Sequence, residues 1–187
     1  MIKVIAFDLV GVLVRERDIN LSEHLSKMER LFGPNISDKE YIDSVKCILP
    51  KMSEKSIVED TKRIINMLYT PKVNIEEMIK LKEELNDVSF VVATNHVSFV
   101  KEYFLRTFGE SLFSNIYISA NINEIKPEKE FYTKLLEDLK IKPEELLFVD
   151  DNEDNVNGAK SLGIQAIHIS KEDNVILKIK EYIKASK

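Results

Sequence analysis

The sequence predicts an α/β fold: a doubly wound parallel sheet with a small all-helical segment inserted after the first strand. Three observations predict it. Five short apolar runs, at residues 2–7, 89–94, 116–119, 146–149 and 166–169, are rich in β-branched or aromatic residues and read as buried strands. Helical patterns separate the later runs, and alternation of strand and helix implies a parallel sheet covered on both faces. Between the first and second runs, residues 20–86 show helical patterns and no strand.

The elements follow in order. Residues 2–7 run to Asp8 at the end of the first strand. Four helical patterns come next, at 21–32, 38–49, 54–68 and 75–85, punctuated by Gly33-Pro34 and Thr70-Pro71. The pattern at 96–108 sets Val97, Val100, Phe104 and Phe108 near one face. A helix over 128–139 starts after Lys126-Pro127, with Glu128 and Glu130 suiting its N-terminal dipole. A helix over 153–162 ends at Gly163, a C′ glycine. The last, over 171–187, carries Val175, Ile176, Ile179 and Ile183. The expected domains are a core of residues 1–15 and 87–187 and a helical cap of residues 16–86. Tyr41, Tyr69 and Phe32 read as the cap's own small core, and Cys47 as a buried apolar filler.

Composition narrows the function classes. Of the 187 residues, 44% are hydrophobic and 32% charged, enough for a packed core. A net charge of −5 gives no general attraction to nucleic acid or to anionic membranes. The single cysteine excludes an intramolecular disulfide and a thiolate zinc site. No apolar run approaches the roughly 20 residues of a membrane helix, and the N-terminal run lacks a signal-peptide pattern. The expectation is a cytoplasmic protein, monomeric or weakly dimeric, acting on a small molecule.

In an open parallel sheet, ligands bind beyond the carboxyl ends of the strands. Asp8 follows the first strand, Thr94 and Asn95 the second, Lys126 stands at a helix entry, and Asp150-Asp151 ends the fourth strand. Singly, each has an ordinary structural explanation: turn, strand end, surface charge or helix cap. Together they form a nucleophile, a hydroxyl, a cation and a carboxylate pair on one edge. A phosphate monoester repels an anionic nucleophile unless its charge is offset, and Mg²⁺ held by carboxylates offsets it. Asp8 and Asp151 are the candidate metal ligands and Asp8 the candidate nucleophile, forming an aspartyl-phosphate that water cleaves. Thr94, Lys126, Asn95 and the backbone from Leu9 through Val10 to Gly11 are candidate phosphate contacts.

These segments resemble the haloacid dehalogenase-like hydrolase superfamily. The matching motifs are Phe7-Asp8-Leu9-Val10-Gly11-Val12-Leu13, Val92-Ala93-Thr94-Asn95, Ile125-Lys126-Pro127-Glu128, and Phe148-Val149-Asp150-Asp151 with its continuation Asn152-Glu153-Asp154-Asn155-Val156-Asn157-Gly158-Ala159. The last is similar to glucose-1-phosphatase-like members with a helical cap. The resemblance implies a Rossmann-like core, phosphatase activity on a small ester such as a sugar phosphate, Mg²⁺, and the Asp8 nucleophile. It also implies Asp151 as direct metal ligand, Asp150 in support, and the Val10 carbonyl on the metal.

One position departs from that pattern. Superfamily phosphatases commonly carry a second Asp two residues after the nucleophile, as general acid and base. Here that residue is Val10. Such help contributes typically about 10²–10⁴ in rate. Glu16, His24 and His96 are candidate substitutes, although His24 and His96 also fit structural places in helical patterns, as His168 does in a strand. Arg15 and Arg17 stand where the cap would hinge. Val10 favours a non-catalytic regulator that kept the fold, while Asp8, Thr94, Lys126 and Asp151 favour the enzyme; metal-free dehalogenases also lack the second Asp, but the Asp150-Asp151 pair argues against a site without metal. A receiver domain uses similar residues in the reverse chain order.

Overall fold

The computed structural model describes residues 1–33 and 37–185. Pro34 of the expected Gly33-Pro34 break, and the last two residues of the expected 171–187 helix, lie outside them. The main sheet has five parallel strands in the order β5-β4-β1-β6-β7: β1 Val4–Phe7, β4 Ser89–Thr94, β5 Asn115–Ile118, β6 Leu146–Asp150 and β7 Gln165–His168. β1 is central, with β4 and β5 wound to one side and β6 and β7 to the other. All five expected strands are present, with ends shifted by a residue or two.

Alternation along the strands divides the core in two. Ile5, Phe7, Phe90, Val92, Leu147 and Val149 face a cluster completed by α4 (Ile75–Glu84), α5 (Val100–Phe108) and α9 (Val175–Ala185). Val4, Ala6, Val91, Ala93, Leu146 and Phe148 face α7 (Lys129–Leu139) and α8 (Glu153–Ser161). Covered on both faces, the strands must be apolar throughout, which is why they read as continuous runs. A short helix α6, Ser119–Ile122, follows β5.

The stretch expected to hold only helices contains strand structure after all. β2, Val14–Glu16, pairs antiparallel with β3, Tyr69–Pro71, and between them lie α1 (Glu23–Glu29), α2 (Asp38–Ile48) and α3 (Glu54–Leu68). A three-residue strand ending in Pro has no alternation to recognise, and only its partner defines it. α3 packs on α5 and carries Lys62, paired with Glu102 at 2.7 Å. α4 packs on α9, with Lys180 bonded to Glu84 at 2.7 Å.

Two further expectations are corrected. Cys47 is exposed, because α2 buries Tyr41 and Val45, one turn apart, and Cys47 lies about 200° round the helix from Val45. The 96–108 helix starts only at Val100. Residues 96–99 instead form a loop in which Ser98 donates its N–H (2.7 Å) and its hydroxyl to Asp38 at the start of α2. Likewise α9 starts at Val175, with Asn174 accepting from Leu177 N–H. Among the described residues, no helix is long and apolar enough to cross a membrane.

Candidate active site

The carboxyl ends of β1, β4 and β6 bring Asp8, Thr94 and Asp150 side by side, all three buried. Lys126 arrives from the connection before α7. Its ammonium donates to Asp8 Oδ1 at 2.9 Å, Asp150 Oδ2 at 2.7 Å and the Ala93 carbonyl at 2.8 Å. Three acceptors match the three protons of an ammonium, so Lys126 is held rigidly although it is only 3% exposed. Asn95 fixes its backbone, accepting from Lys126 N–H and donating to Lys126 C=O, both at 2.8 Å. Gly158 of α8 lets that connection approach: a Cβ there would lie 2.8 Å from the Pro127 carbonyl oxygen.

Asp150 is fully engaged. Oδ1 accepts from Asn152 N–H at 2.8 Å and from Asn155 Nδ2, and Oδ2 accepts from Lys126 and Asn155. Asn155 is held by its position on α8, where its carbonyl accepts from Tyr132 Oη at 2.7 Å. Asp151, by contrast, is exposed and lies against Gly11, whose φ is +91°. A Cβ on Gly11 would sit 2.1 Å from Asp151 Oδ2, so the turn and the carboxylate can share this space only because residue 11 is glycine. Carboxylate oxygens of Asp8, Asp150 and Asp151 lie within 4.8 Å of one another.

Lys126 pairs with two of the three carboxylates, Asp8 and Asp150, and Asp151 feels both Lys126 and Lys72 more weakly. Burial would lower the Lys126 pKa, but Asp8 and Asp150 together outweigh it and raise it. Asp8 is pushed up to about 7, first by burial and then by Asp150 and Asp151, against the pull of Lys126. Asp151 is pushed up by partial burial and by Asp150. Such crowding leaves an excess of negative charge that a divalent cation would relieve.

A cleft of about 1260 Å³ opens over Val10, Gly11 and Asp151. Its walls are residues 15–18 of the β2 arm, Thr70 and Lys72 of the β3 arm, and residues 168–172. Among the described residues, none of α1, α2 or α3 lines it. Of the candidate substitutes for the missing acid, His96 is buried away from it. Its Nδ1–H donates to Val97 C=O at 3.2 Å and its Nε2 accepts from Tyr69 Oη at 2.8 Å, while burial lowers its pKa to about 4. His24 belongs to α1, beside Ser22 and Asp60. Glu16 lines the cleft, as do Arg15 and Arg17.

Sequence reasoning missed three residues here. His168 donates from Nε2 to the Asp151 carbonyl at 2.8 Å; its place at the carboxyl end of β7 was the available signal. Asn155 lies inside a recognised motif, without an assigned job. Lys72 donates to the Gly11 carbonyl at 2.7 Å and to Ser170 at 3.2 Å, tying the return from the insert to the turn beside Asp8. Nothing local marks it.

The family model of haloacid dehalogenase-like hydrolases matches residues 5–169. The chain belongs to this hydrolase family. Among curated relatives, a drimenol cyclase from Aspergillus calidoustus is 38% identical over 65 residues, 35% of this chain and 12% of that protein. The pyrophosphatase PpaX of Halalkalibacterium halodurans is 26% identical over 178 residues, 88% of this chain and 81% of the relative. The chain thus spans about an eighth of the first relative and about four fifths of the second. Among solved structures, a predicted HAD-like family hydrolase from Porphyromonas gingivalis superposes with a TM-score of 0.74 at 22% identity, covering 98% of both chains. A HAD family enzyme from Bacteroides thetaiotaomicron, in complex with magnesium and inorganic phosphate, gives 0.69 at 20% identity, covering 93% of this chain and 97% of that one. At these identities the likeness establishes a shared fold. Within this hydrolase family, the four motif segments of this chain meet at one edge of the sheet.

Proposed function

We propose that this family member is a Mg²⁺-dependent phosphatase of a small phosphorylated metabolite, such as a sugar phosphate, acting through an aspartyl-phosphate on Asp8. One observation carries the reading: Asp8 is a buried carboxylate aimed by Lys126 beside a second, accessible carboxylate, Asp151. The donors suit a hard divalent ion, being carboxylate oxygens close together with a side-chain-free glycine beside them. Asp8, Asp151 and the Val10 carbonyl would hold it. Asp150, whose oxygens are already engaged, supports Lys126 and Asn155 instead. When bound, the ion supplies charge neutralisation between nucleophile and phosphoryl oxygens. The Bacteroides enzyme with magnesium and phosphate, and the pyrophosphatase relative, support the same chemistry.

The chain's own groups do the rest. Lys126 orients Asp8 for attack and keeps its charge from being isolated. Thr94, at the end of β4, and the N–H groups of Leu9 and Val10 would hold the transferring oxygens, whereas the Gly11 N–H, expected among them, is already donated to Val14 C=O. Helices α1–α3 act as a cap whose stem is the β2–β3 pair, since those strands close on each other and α4 packs on α9. That reading gives α4 to the core and narrows the cap from residues 16–86 to the part between β2 and β3.

Hydrolysis of p-nitrophenyl phosphate and a panel of sugar phosphates, with Mg²⁺ and with chelator, tests the assignment. Turnover is expected with the ion only, and none in Asp8→Asn. Equal rates in chelator, or surviving activity in Asp8→Asn, would sink it. A regulator without turnover is favoured by Val10 alone. It would bind Mg²⁺ and hydrolyse no ester in the panel.

A further inference from the structure

We propose that Glu16 is the general acid and base of this site, taking the place that Val10 cannot fill. The proposal rests on the phosphatase reading above. Hydrolysis of an alkyl phosphate needs a proton for the departing oxygen and a base for the attacking water. The side chain of Val10 has neither.

The cleft walls narrow the choice. Arginine does not give up its proton at accessible pH, which removes Arg15 and Arg17. The Lys72 ammonium is turned to the carbonyls of Gly11 and Ser170, and the His168 Nε2–H to that of Asp151. The remaining carboxylic acids on the walls, apart from Asp151, are Glu16, Asp18 and Glu172. Glu16 stands nearest the nucleophile turn along the chain. Val14 N–H donates to Leu9 C=O and Gly11 N–H to Val14 C=O, so β2 leaves that turn directly, and Glu16 follows two residues later. Its register partner is Tyr69, and the Tyr69 hydroxyl lies in the electric fields of both Glu16 and Asp8. Asp18 lies beyond the end of β2, and Glu172 beyond β7, in the connection to α9.

The surroundings of Glu16 suit a proton donor. No hydrogen bond or ion pair among the described residues occupies its carboxylate. Glu16 is exposed on the cleft wall, and partial desolvation there, then Glu29 of α1, raise its pKa. On β3 the neighbouring Tyr69 hydroxyl is committed to His96. On its own strand and just beyond stand Arg15, Arg17 and Asp18, with Arg17 turned to the Met67 carbonyl, and Lys72 and Lys171 also border the cleft.

The step balances as follows. An Asp8 carboxylate oxygen bonds to phosphorus, the bond from phosphorus to the ester oxygen breaks, and the Glu16 proton passes to that oxygen to give the free alcohol. The Glu16 carboxylate then takes a proton from water as the water oxygen bonds to phosphorus. The aspartyl bond breaks, releasing inorganic phosphate and restoring Asp8 and protonated Glu16.

The experiment compares the wild type with Glu16→Gln, both loaded with Mg²⁺, on glycerol phosphate and on p-nitrophenyl phosphate. Nitrophenolate leaves without a proton. The expected result is a loss of about 10²-fold or more in first-turnover release of glycerol, with loss of the alkaline limb of its pH profile. First-turnover release of nitrophenolate should stay within about threefold of wild type, since no general acid contributes to it. Unchanged glycerol release and pH profile in Glu16→Gln would overturn the proposal while leaving the phosphatase reading intact. Equal losses on both substrates would also overturn it, assigning Glu16 a structural role. A wild type that hydrolyses neither ester would overturn both.

Discussion

Lys126 and His96 show two opposite uses of a buried titratable side chain. Lys126 stays charged because three acceptors surround it, whereas His96 stays neutral because only a carbonyl and a phenol do. The second case has a pH signature. Burial lowers the His96 pKa from 6.5 to about 4, so the unfolded chain takes up a proton as pH falls below 6.5 and the folded chain does not. Its contribution to stability is therefore complete above pH 6.5 and is lost as pH falls towards 4, by at most about 1.4 kcal/mol per pH unit. Denaturant unfolding at pH 7 and pH 5 should show a larger loss for wild type than for His96→Asn. Equal losses would mean that His96 is not held neutral.

At the scale of elements, the β2–β3 pair and the 96–99 loop decide where the insert sits. Asp38 at the start of α2 receives both the N–H and the hydroxyl of Ser98, four residues after Thr94. Hydrogen bonds to a charged partner contribute roughly 1.5–3 kcal/mol when not fully exposed, and this site is half-buried. Asp38→Ala is expected to destabilise the protein by about 1–2 kcal/mol, read from its urea midpoint, and to speed amide exchange at Ser98. An unchanged midpoint and exchange rate would show that the loop holds its shape without Asp38. Because the cleft is walled by residues 15–18, Thr70, Lys72 and residues 168–172, substrate preference should respond to those segments more than to α1–α3.

For the whole molecule, the carboxylate cluster links metal binding to folding. A ligand that binds only the folded state stabilises it by RT ln(1 + [L]/Kd), about 2.7 kcal/mol at 100 times Kd. Mg²⁺ is therefore expected to raise Tm, and Asp151→Asn to remove most of that rise, as thermal melts with Mg²⁺ and with chelator would show. No rise at millimolar Mg²⁺ would count against the metal site.

How much was legible follows from physics that is local or not. The strands stood out because burial on both faces demands unbroken apolar runs, and a parallel sheet brings their carboxyl ends together. Asp8, Thr94 and Asp150-Asp151 could therefore be placed on one edge before any contact was known. β3 could not, since a three-residue strand exists only through its partner. The exposure of Cys47 turned on which face of α2 found a neighbour. Asp150 and Asp151 are adjacent in sequence, yet only the fold separates a buried carboxylate engaged by Lys126 and Asn155 from an exposed one lying against Gly11. The sequence by itself determined the fold class and which side chains stand at the strand ends, because strand periodicity and strand ends are local properties. The tertiary structure alone decided that Lys126 grips Asp8 across 118 positions of chain, and that Glu16 rather than His24 or His96 lines the cleft. Those contacts depend on strand order and on the return path of the insert, which no local pattern carries.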